Sequence, residues 1–312
     1  MFRFLRGARS ASPTRCVRSN PVRASRLNVE LLEGRLVPAT ISAVTWESAG
    51  TAHHALYAIG QDDSAFVSVD GGSFASLDGY VKQLSAGLDS DGNPEVYGIG
   101  MDDALYVNKG NGWVDLGSYV KAISATGRDT VYVIGKANDV FMNVGGNGFV
   151  NLGGYALDIS AGLDNDGNPE VYAIGSDHAL FVNRGSGFLN LGGYVKAISA
   201  TVQNTVYVIG KDDSASVNHG SGFLNLGGFV KEISAGLDTD GNPELFAIGG
   251  GNNLLANKGD RFVDLGGYVR DIAAPTVGVG VPGDMVFAIG SDHSGFLNQG
   301  DVFTALGGYI QG

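Results

Sequence analysis

The chain has 312 residues, of which 50 are glycine and 44% are apolar. This apolar fraction excludes a disordered chain, and glycines that follow no triplet repeat exclude a collagen-like one. Residues 1–40 carry eight arginines and two glutamates, whereas residues 41–312 carry 12 basic and 30 acidic residues, a net charge of −18. Such an acidic body repels phosphate, so we expect no nucleic-acid partner. No run of about 18 apolar residues occurs, so we expect no transmembrane segment.

Residues 1–40 are interpreted as an Arg-rich export or targeting leader, which also contains the only cysteine, Cys16. Its last part, LEGRLVPA at residues 32–39, resembles the Leu-Glu-x-Arg-x-x-Pro-Ala motif that closes the leaders of many planctomycete-type exported proteins. The resemblance implies export to the periplasm, the cell surface or the extracellular space, with processing near Ala39. The alternative that the residues leave open is a disordered basic tail.

A repeat of about 40 residues fills the rest of the chain. Each repeat has four short runs rich in Val, Ile, Tyr and Phe, separated by Gly, Asp or Asn, without helical periodicity. Units of this size are typical of β-propeller blades. The sequence therefore predicts an all-β fold, a seven-bladed β-propeller of four-stranded antiparallel blades over residues 41–312. Packing of repeat one against repeat seven is expected to close the ring, because no exchanged strand is apparent. The repeats begin at Ile41, Leu84, Ile123, Ile159, Ile198, Ile233 and Ile272.

A second period of two repeats is also present. Repeats two, four and six connect their first and second runs by GLDxDGNPE, whereas repeats three and five use TGRDT and TVQNT. This pattern indicates duplication of a two-repeat module. Most repeats end in LGGY or LGGF, whose glycines permit a sharp turn and whose aromatic residue we expect to wedge between blades. These aromatic residues are Tyr80, Tyr119, Tyr155, Tyr194, Phe229, Tyr268 and Tyr309.

The repeats resemble those of PLL-type and tectonin-like lectin propellers. They share the small inner strand, a DG…E-V/L-Y/F hairpin, a G-x-D-x-x-L-Y/F second turn and an outer LGG strand. The resemblance covers nearly all of residues 41–312 and implies carbohydrate binding in pockets between blades, with an aromatic ring stacked on the sugar. The ligand-binding residues expected are Trp113, the third-turn residues Asn108, Asn183 and Asn257, and Tyr119, Tyr194 and Tyr268. For the asparagines, the alternative is a left-handed turn residue before glycine.

The GLDxDGNPE connection offers alternating side-chain oxygens, which suit Ca²⁺ because this ion prefers six to eight oxygen ligands. Calcium is therefore the one cofactor considered. The alternative is a plain hairpin, in which Asp91-Gly92 predicts a type I′ turn and Asn93-Pro94 ends the ladder. The candidate metal ligands are Asp89, Asp91, Asn93 and Glu95, Asp164, Asp166, Asn168 and Glu170, and Asp238, Asp240, Asn242 and Glu244.

No enzyme signature is evident. The five histidines do not recur in register as a ligand set, and no Ser-His-Asp order, phosphate-binding glycine loop or zinc spacing is present. We expect a non-enzymatic, exported binding module whose partner is a carbohydrate or a glycosylated surface. The alternative is a scaffold for protein–protein interaction or for the cell envelope, with another exported protein as partner and no sugar binding.

Overall fold

The computed structural model describes residues 40–259, 261–275 and 283–310. Within these ranges the chain forms 26 β-strands and no helix, so the predicted all-β class is confirmed. The same ranges contain no helix long and apolar enough to cross a membrane. The leader interpretation, with its motif, Cys16 and Ala39, lies outside the described residues.

The first ten strands form one sheet, in the order in which they occur in the chain. They are β1 (Ile41–Ser48), β2 (Thr51–Ile59), β3 (Ser64–Val69), β4 (Ala75–Leu88), β5 (Pro94–Gly100), β6 (Ala104–Asn108), β7 (Trp113–Ala125), β8 (Thr130–Gly135), β9 (Val140–Val144) and β10 (Phe149–Gly153).

The other strands form four four-stranded sheets, again in chain order. The first two sheets contain β11 (Asp158–Leu163), β12 (Pro169–Ile174), β13 (Leu180–Asn183) and β14 (Phe188–Gly192), then β15 (Val195–Ala200), β16 (Val206–Gly210), β17 (Ala215–Asn218) and β18 (Phe223–Gly227). The last two contain β19 (Val230–Leu237), β20 (Pro243–Gly249), β21 (Leu254–Asn257) and β22 (Phe262–Gly266), then β23 (Val269–Ala273), β24 (Met285–Gly290), β25 (Gly295–Gln299) and β26 (Val302–Gly307).

Two long strands join three sequence repeats into the ten-stranded sheet. The first part of β4, up to Tyr80, pairs with β3, whereas the part from Val81 onward pairs with β5. Strand β7 is divided in the same way between β6 and β8. Each long strand therefore serves as the last strand of one repeat and the first strand of the next.

The hydrophobic core lies between neighbouring repeats. The second strand of a repeat is buried on both faces; all six residues of β8 are buried, for example. Seven apolar clusters each combine residues of two neighbouring repeats. Six clusters join consecutive repeats, and the seventh joins repeat seven to repeat one through residues such as Phe287 and Leu56. The repeats therefore pack in cyclic order.

The first strands are also linked in cyclic order, by hydrogen bonds. A serine of each of the repeats one to six accepts a hydrogen bond of 2.8–2.9 Å from a backbone N–H of the next repeat. Repeat seven has Ala273 at the serine position, and at this junction the Thr40 hydroxyl donates to Asp271. The serine acceptors and their donors are Ser42–Ala86, Ser85–Ala125, Ser124–Ala161, Ser160–Ala200, Ser199–Ala235 and Ser234–Ala274.

The end of the described chain returns to repeat one. Ile310 forms an antiparallel bridge with Gly60, at the position where Val81 pairs with Gly100 in repeat two. Ile310 is also buried in the cluster that joins repeats seven and one. The expected packing of repeat one against repeat seven is present in this cluster, and the residue after the last LGGY adds a backbone bridge to it.

Candidate functional site

The aromatic residue after each LGG-type turn does not wedge between repeats, contrary to the sequence prediction. In repeat four the preceding residues Gly192 and Gly193 have φ values of 79° and 81°, a left-handed conformation that turns the following Tyr194 outward. All seven of these aromatic side chains are exposed, by 43–64%. They therefore lie at the surface beside each junction between repeats.

The wedge is formed by a different aromatic residue, near the start of the fourth strand. Phe188 packs against Gly154 of the preceding repeat so closely that a Cβ at Gly154 would lie 3.1 Å from its ring. A Cβ at Gly193 would lie 2.9 Å from Phe223 in the same way. Glycine is thus favoured at Gly154 and Gly193 because the next repeat covers them, whereas repeat two has Ser118 at this position, with φ 72°. The equivalent aromatic residues are Phe74, Trp113, Phe149, Phe188, Phe223, Phe262 and Phe303.

A pocket of about 270 Å³ opens at the junction of repeats three and four. The exposed ring of Tyr155 and the wedge Phe188 form two of its sides, and Phe181 forms another. Ser176 and Asp177, in the second turn of repeat four, supply its polar groups. Asp177 Oδ1 accepts a hydrogen bond from Ala179 N at 3.1 Å, which fixes the turn. The back of the pocket is apolar and is formed by Val140 and Ala173.

At two equivalent junctions between other repeats, a lysine side chain lies beside the exposed tyrosine. Between repeats two and three, the Lys136 ammonium lies 5.6 Å from the centre of the Tyr119 ring. Between repeats four and five, the Lys211 ammonium lies 5.8 Å from the centre of the Tyr194 ring, which also stacks on His178. Two of the predicted stacking residues, Tyr119 and Tyr194, therefore each have a lysine ammonium of the protein over the ring, although both side chains remain exposed. The third, Tyr268, is exposed and its backbone oxygen accepts a hydrogen bond from Ser291 N at 3.1 Å.

Trp113, predicted to stack on a sugar, instead fills the junction of repeats one and two. It takes the place of Phe188, and its indole covers Gly79 of repeat one. It also reaches Gly98 of β5, where a Cβ would lie 3.1 Å from the indole ring. Its Nε1 is buried and has no hydrogen-bond partner among the described residues. The half-buried indole thus packs against the apolar cluster that joins repeats one and two.

The predicted asparagine ligands close the third turns. Asn108 and Asn183 are 4% and 3% exposed, and their Oδ1 atoms accept hydrogen bonds from Gly110 N and Gly185 N at 2.8 and 2.7 Å. The left-handed residues are the glycines, with φ values of 88° and 93°, so the prediction of left-handed asparagines is wrong. Asn257 is half-buried at the same turn position. Asn183 lies at the end of β13, whereas Ser176 and Asp177 of the pocket lie before the start of this strand. Asn183 is not among the residues that line the pocket.

The DGNPE connections are hairpins organised by their first aspartate. Asp89 Oδ1 accepts hydrogen bonds from Asp91 N at 2.9 Å and from Asn93 N at 2.8 Å, and the Asn93 amide group also donates to this carboxylate. Only Gly92 is left-handed, with φ 82°, so the predicted type I′ turn is wrong. Type I′ needs two left-handed residues, and these occur in the short connection instead, at Arg128 and Asp129 with φ 62° and 56°. The same bonds recur in the loops of Asp164, Asp166 and Asn168, and of Asp238, Asp240 and Asn242.

The glutamate that ends each long connection is buried and paired with a cation of its own repeat. Glu170 Oε2 lies 2.6 Å from Arg184 Nε, and its Oε1 accepts a hydrogen bond from the Tyr172 hydroxyl at 2.9 Å. Burial raises the pKa of Glu170, while the Arg184 guanidinium and the Tyr172 hydroxyl act against that rise. Glu95 and Glu244 are paired with Lys109 and Lys258 in the same way, at 3.0 and 2.9 Å.

These contacts do not fit a calcium ion. The first aspartate of each loop is used by amide hydrogen bonds, and the glutamate turns into the core toward a lysine or an arginine. Within the described ranges, no group of three or more His, Cys, Asp and Glu side chains is placed to hold a metal ion. The loop oxygens that alternate in the sequence therefore serve separate structural partners.

The pocket residues Tyr155, Ser176, Asp177, Phe181 and Phe188 were not among the predicted ligands. The sequence does contain a signal for them. At the first position of the second turn, repeats three and five have Lys136 and Lys211, whereas repeat four has Ser176. This difference only becomes meaningful once the turn is known to face the tyrosine of the preceding repeat.

Comparison with known proteins shows the type of fold but does not identify a protein family for this chain. No protein-family model matches the chain, and no curated protein sequence matches it. The structure of BBS1N in complex with ARL6DN is similar with a TM-score of 0.58 at 10% identity, over 82% of this chain and 90% of that chain. Prp20p from Saccharomyces cerevisiae, described with its binding properties to Gsp1p and histones, is similar with a TM-score of 0.56 at 8% identity, over 75% and 80%.

A lectin is also among the similar structures. SapL1 in complex with alpha methyl fucoside has a TM-score of 0.49 at 18% identity, over 73% of this chain and 95% of that chain. At these identities the similarity shows the fold alone. Taken with the cyclic packing of the repeats, the comparisons identify the described part of the chain as a β-propeller.

Proposed function

We propose that the chain is an exported, seven-bladed β-propeller that binds carbohydrate in the pocket between repeats three and four. The seven blades are inferred from the seven core clusters and from the division of β4 and β7 between neighbouring repeats. Export is inferred from the sequence of residues 32–39. The fold alone is compatible with binding, scaffolding or catalysis, so the proposal rests on the pocket.

The pocket combines the features of a site for a single sugar ring. Its volume of about 270 Å³ is close to the lower limit of ~300 Å³ for small-molecule sites. Tyr155 and Phe188 offer apolar faces for the C–H side of a pyranose, and such aromatic groups lose little conformational entropy on binding. Ser176 and Asp177 provide a hydroxyl and a carboxylate, which orient hydroxyl or amino groups of the ligand.

A glycan array with the wild-type chain and the Tyr155→Ala variant tests this proposal. We expect wild-type binding to a defined group of glycans, and a loss of about two- to tenfold in the variant, because a stacked aromatic ring contributes ~0.5–1.5 kcal/mol. The matched control is Tyr80→Ala, since Tyr80 is equally an exposed aromatic residue but its junction is filled by Trp113. The control should bind as wild type.

The array is run with and without a calcium chelator. Because Glu95 and its two counterparts are paired with cations, we expect the chelator to change neither binding nor the melting temperature. Absence of binding to every glycan in both conditions would overturn the carbohydrate proposal. Binding that requires Ca²⁺ would instead show that the acidic loops rearrange to hold the ion.

A second function, binding of another exported protein, is favoured by one specific observation. The fourth strands carry a row of aliphatic side chains that are 56–64% exposed, in addition to the exposed aromatic residues. Repeated apolar exposure of this kind is a feature of interaction surfaces. A partner captured by wild type but not by a Leu189→Asp, Leu224→Asp variant would support this function. The row consists of Val114, Val150, Leu189, Leu224 and Val302.

A further inference from the structure

At two junctions between repeats, a lysine ammonium group of the protein itself lies beside the exposed tyrosine. Lys136 and Lys211 come from the same position of the second turn, and each places its ammonium 5.6–5.8 Å from the centre of the tyrosine ring of the preceding repeat. These distances are within the ~6 Å at which a cation is attracted to the face of an aromatic ring. The junction therefore accommodates an ammonium group as a built-in feature.

The pocket at the junction of repeats three and four lacks this internal cation. The equivalent position is Ser176, whose side chain is too short to reach over Tyr155, and the pocket opens there. The next residue, Asp177, also lines the pocket and adds a carboxylate beside the aromatic rings. The space that lysine fills at the two other junctions is therefore available to a ligand, next to a negative charge.

The junction of repeats six and seven differs from that of repeats three and four, because an arginine lies beside its second turn. Where Tyr268 faces Ser291 and Asp292, in the equivalent junction of repeats six and seven, Arg270 Nη1 contacts His293 Nε2 at 2.9 Å. Arg270 thus places a guanidinium beside that second turn. At the junction of repeats three and four, the residue equivalent to Arg270 is Leu157, which carries no charge. A cationic ligand is therefore favoured at this junction over the junction of repeats six and seven.

We propose that the pocket between repeats three and four binds an amino sugar, with the protonated amino group of the ligand over Tyr155 and near Asp177, in the place that Lys136 and Lys211 occupy at the neighbouring junctions. This inference rests on the proposed carbohydrate function and specifies the class of sugar. A neutral sugar would leave the carboxylate of Asp177 without an opposite charge, whereas an amino sugar satisfies both the ring faces and the charge. The net charge of −18 over residues 41–312 also attracts a cationic ligand.

A sugar is favoured over the lysine side chain of a protein partner because of the apolar lining of the pocket. This lining includes Val140, Ala173, Phe181 and Phe188. The C–H groups of a pyranose ring contact more of this lining than a single alkyl chain does, and so gain more dispersion energy. The tyrosine and the carboxylate thus select the amino group of the ligand, and the apolar lining selects a sugar ring as the rest of it.

Calorimetric titration of the 312-residue chain with a trisaccharide of glucosamine, and with the N-acetylated trisaccharide of the same linkage, tests the proposal. The pH is held at 5 so that the ligand amine is charged, because the neighbouring oxygen atoms of the sugar hold the pKa of this amine below the ~7.7–8.0 of an ordinary α-amino group. We expect the free-amine ligand to bind at least about tenfold more tightly, because the N-acetylated ligand has no charged amine and makes neither the cation–π contact nor the charge pair. Its affinity should also fall as salt is raised, because the interaction is between charges.

Two exposed variants locate the site. Ser176→Lys places the protein's own ammonium over Tyr155 and should reduce binding of the glucosamine ligand by roughly tenfold or more. Asp177→Asn keeps the turn hydrogen bond to Ala179 N but removes the charge, and should weaken binding by roughly three- to tenfold. The matched control is Asp212→Asn, which removes the equivalent carboxylate at the junction already covered by Lys211. It should bind as wild type, and unchanged melting temperatures confirm that all three variants are folded.

The outcomes separate this inference from the proposed function. Equal binding of both trisaccharides, abolished by Tyr155→Ala but not by Ser176→Lys or Asp177→Asn, would overturn the amino-sugar inference and leave the carbohydrate function in place. Binding of neither trisaccharide, together with an empty glycan array, would overturn both. If Nα-acetyl-lysine amide, which mimics a lysine side chain of a protein, bound more tightly than the glucosamine ligand, the inference of an amino sugar would be wrong and the pocket would be assigned to a protein partner.

Discussion

Trp113 shows how one substitution converts a surface pocket into core. At the junction of repeats three and four, Phe188 leaves a pocket lined by Ala173, whereas at the first junction the larger indole of Trp113 reaches the equivalent backbone position, which is Gly98. The glycine is needed, because a Cβ there would lie 2.8 Å from Val81 and 3.1 Å from the indole. Repeat two therefore has the pair Trp113 and Gly98 at the positions where repeat four has the pair Phe188 and Ala173.

This exchange predicts a strong coupling between the two positions. Gly98→Ala should lower the free energy of unfolding by about 1–3 kcal/mol, the usual cost of overpacking. Trp113→Phe should also be destabilising, since it leaves a cavity. The double variant recreates the Phe–Ala pair of repeat four and should be more stable than the sum of the single effects by at least about 1 kcal/mol.

The measurement is urea unfolding of the four proteins of this double-mutant cycle. Gly127→Ala, at a glycine whose added Cβ meets nothing within 4 Å, is the control for a glycine-to-alanine change without a packing conflict. Additive effects of the two substitutions would contradict the packing argument, because independent sites show no coupling.

Whole strands and their order follow from the sequence, whereas the type of turn does not. The alternation of apolar runs and Gly, Asp or Asn residues predicts the four-stranded repeat, since these properties depend only on local composition. The turn at Asp91-Gly92 differs from the prediction because the Asp89 carboxylate accepts two backbone amides and holds the loop in another form. Side-chain hydrogen bonds of this kind compete with the intrinsic preference of the dipeptide.

The candidate site was less predictable than the strands for a similar reason. Trp113 and the asparagines have the right chemistry for a sugar site, but whether they face solvent depends on the neighbouring repeat. The pocket around Tyr155 and Ser176 is created by contacts between residues about 20 positions apart that belong to different repeats. Periodicity predicts that such a junction exists seven times, and only the packing shows that the junction of repeats three and four contains a pocket.

At the scale of the strand, Asp158 at the start of β11 is a carboxyl group in an unfavourable place. Its side chain is half-buried, and Oδ1 accepts a hydrogen bond from its own strand, from Ile159 N at 2.7 Å. Burial raises the pKa of Asp158 to about 7, and the single amide hydrogen bond only partly opposes this. The folded protein therefore favours the protonated carboxyl.

The sign of the resulting pH dependence follows from linkage. Because the pKa is higher in the folded state, the stabilisation is fully present below the ordinary aspartate pKa of 3.8 and is lost as the pH rises to about 7. Asp158→Asn, which is neutral at every pH, should match wild type near pH 4. At pH 8 it should be more stable than wild type by about 1–3 kcal/mol, a value reduced from the full pKa difference because the side chain is half-buried.

Thermal unfolding of wild type and variant between pH 4 and pH 8 provides the measurement. Asp166→Asn, which removes a carboxylate from an exposed loop, is the matched control and should follow the wild-type curve. A difference between Asp158→Asn and wild type that stays constant across this range would show that Asp158 is ionised throughout, contrary to the argument from burial.

At the scale of the whole ring, the two-repeat period has a physical basis. The long connection of an even repeat is held by the short turn of the next odd repeat: Ser90 N donates to Asp129 Oδ2 at 2.9 Å. On the other side of that turn, Arg128 Nη1 donates to Asn168 Oδ1 at 3.0 Å, in the long connection of repeat four. The short turn of repeat three is thus held between two long connections, which shows how a long and a short connection pack side by side in neighbouring repeats.

Seven is an odd number, so a two-repeat module cannot continue unbroken around the ring, and repeats seven and one meet at an irregular junction. Six junctions have the serine-to-amide hydrogen bond between first strands, and this one has Ala273 in place of the serine. The Ile310–Gly60 bridge and the Thr40–Asp271 hydrogen bond join the two repeats instead. This junction is therefore where we expect added hydrogen bonding to have most effect on the ring.

Ala273→Ser should supply the missing bond by accepting a hydrogen bond from the backbone N–H of Ala43, the residue equivalent to Ala86. A hydrogen bond of this type contributes about 0.5–1.5 kcal/mol, which corresponds to a rise in melting temperature of roughly 1–5 °C for a chain of this size. The matched control is Ser199→Ala, which removes the bond from a regular junction and leaves the Ala235 N–H without its partner, so it should lower the melting temperature by at least as much. Scanning calorimetry of wild type and both variants provides the measurement. If Ala273→Ser lowers the melting temperature while Ser199→Ala behaves as expected, then the first strands of repeats seven and one are not spaced as at the other junctions, and the junction depends on its apolar cluster, the Ile310 bridge and the Thr40 hydrogen bond.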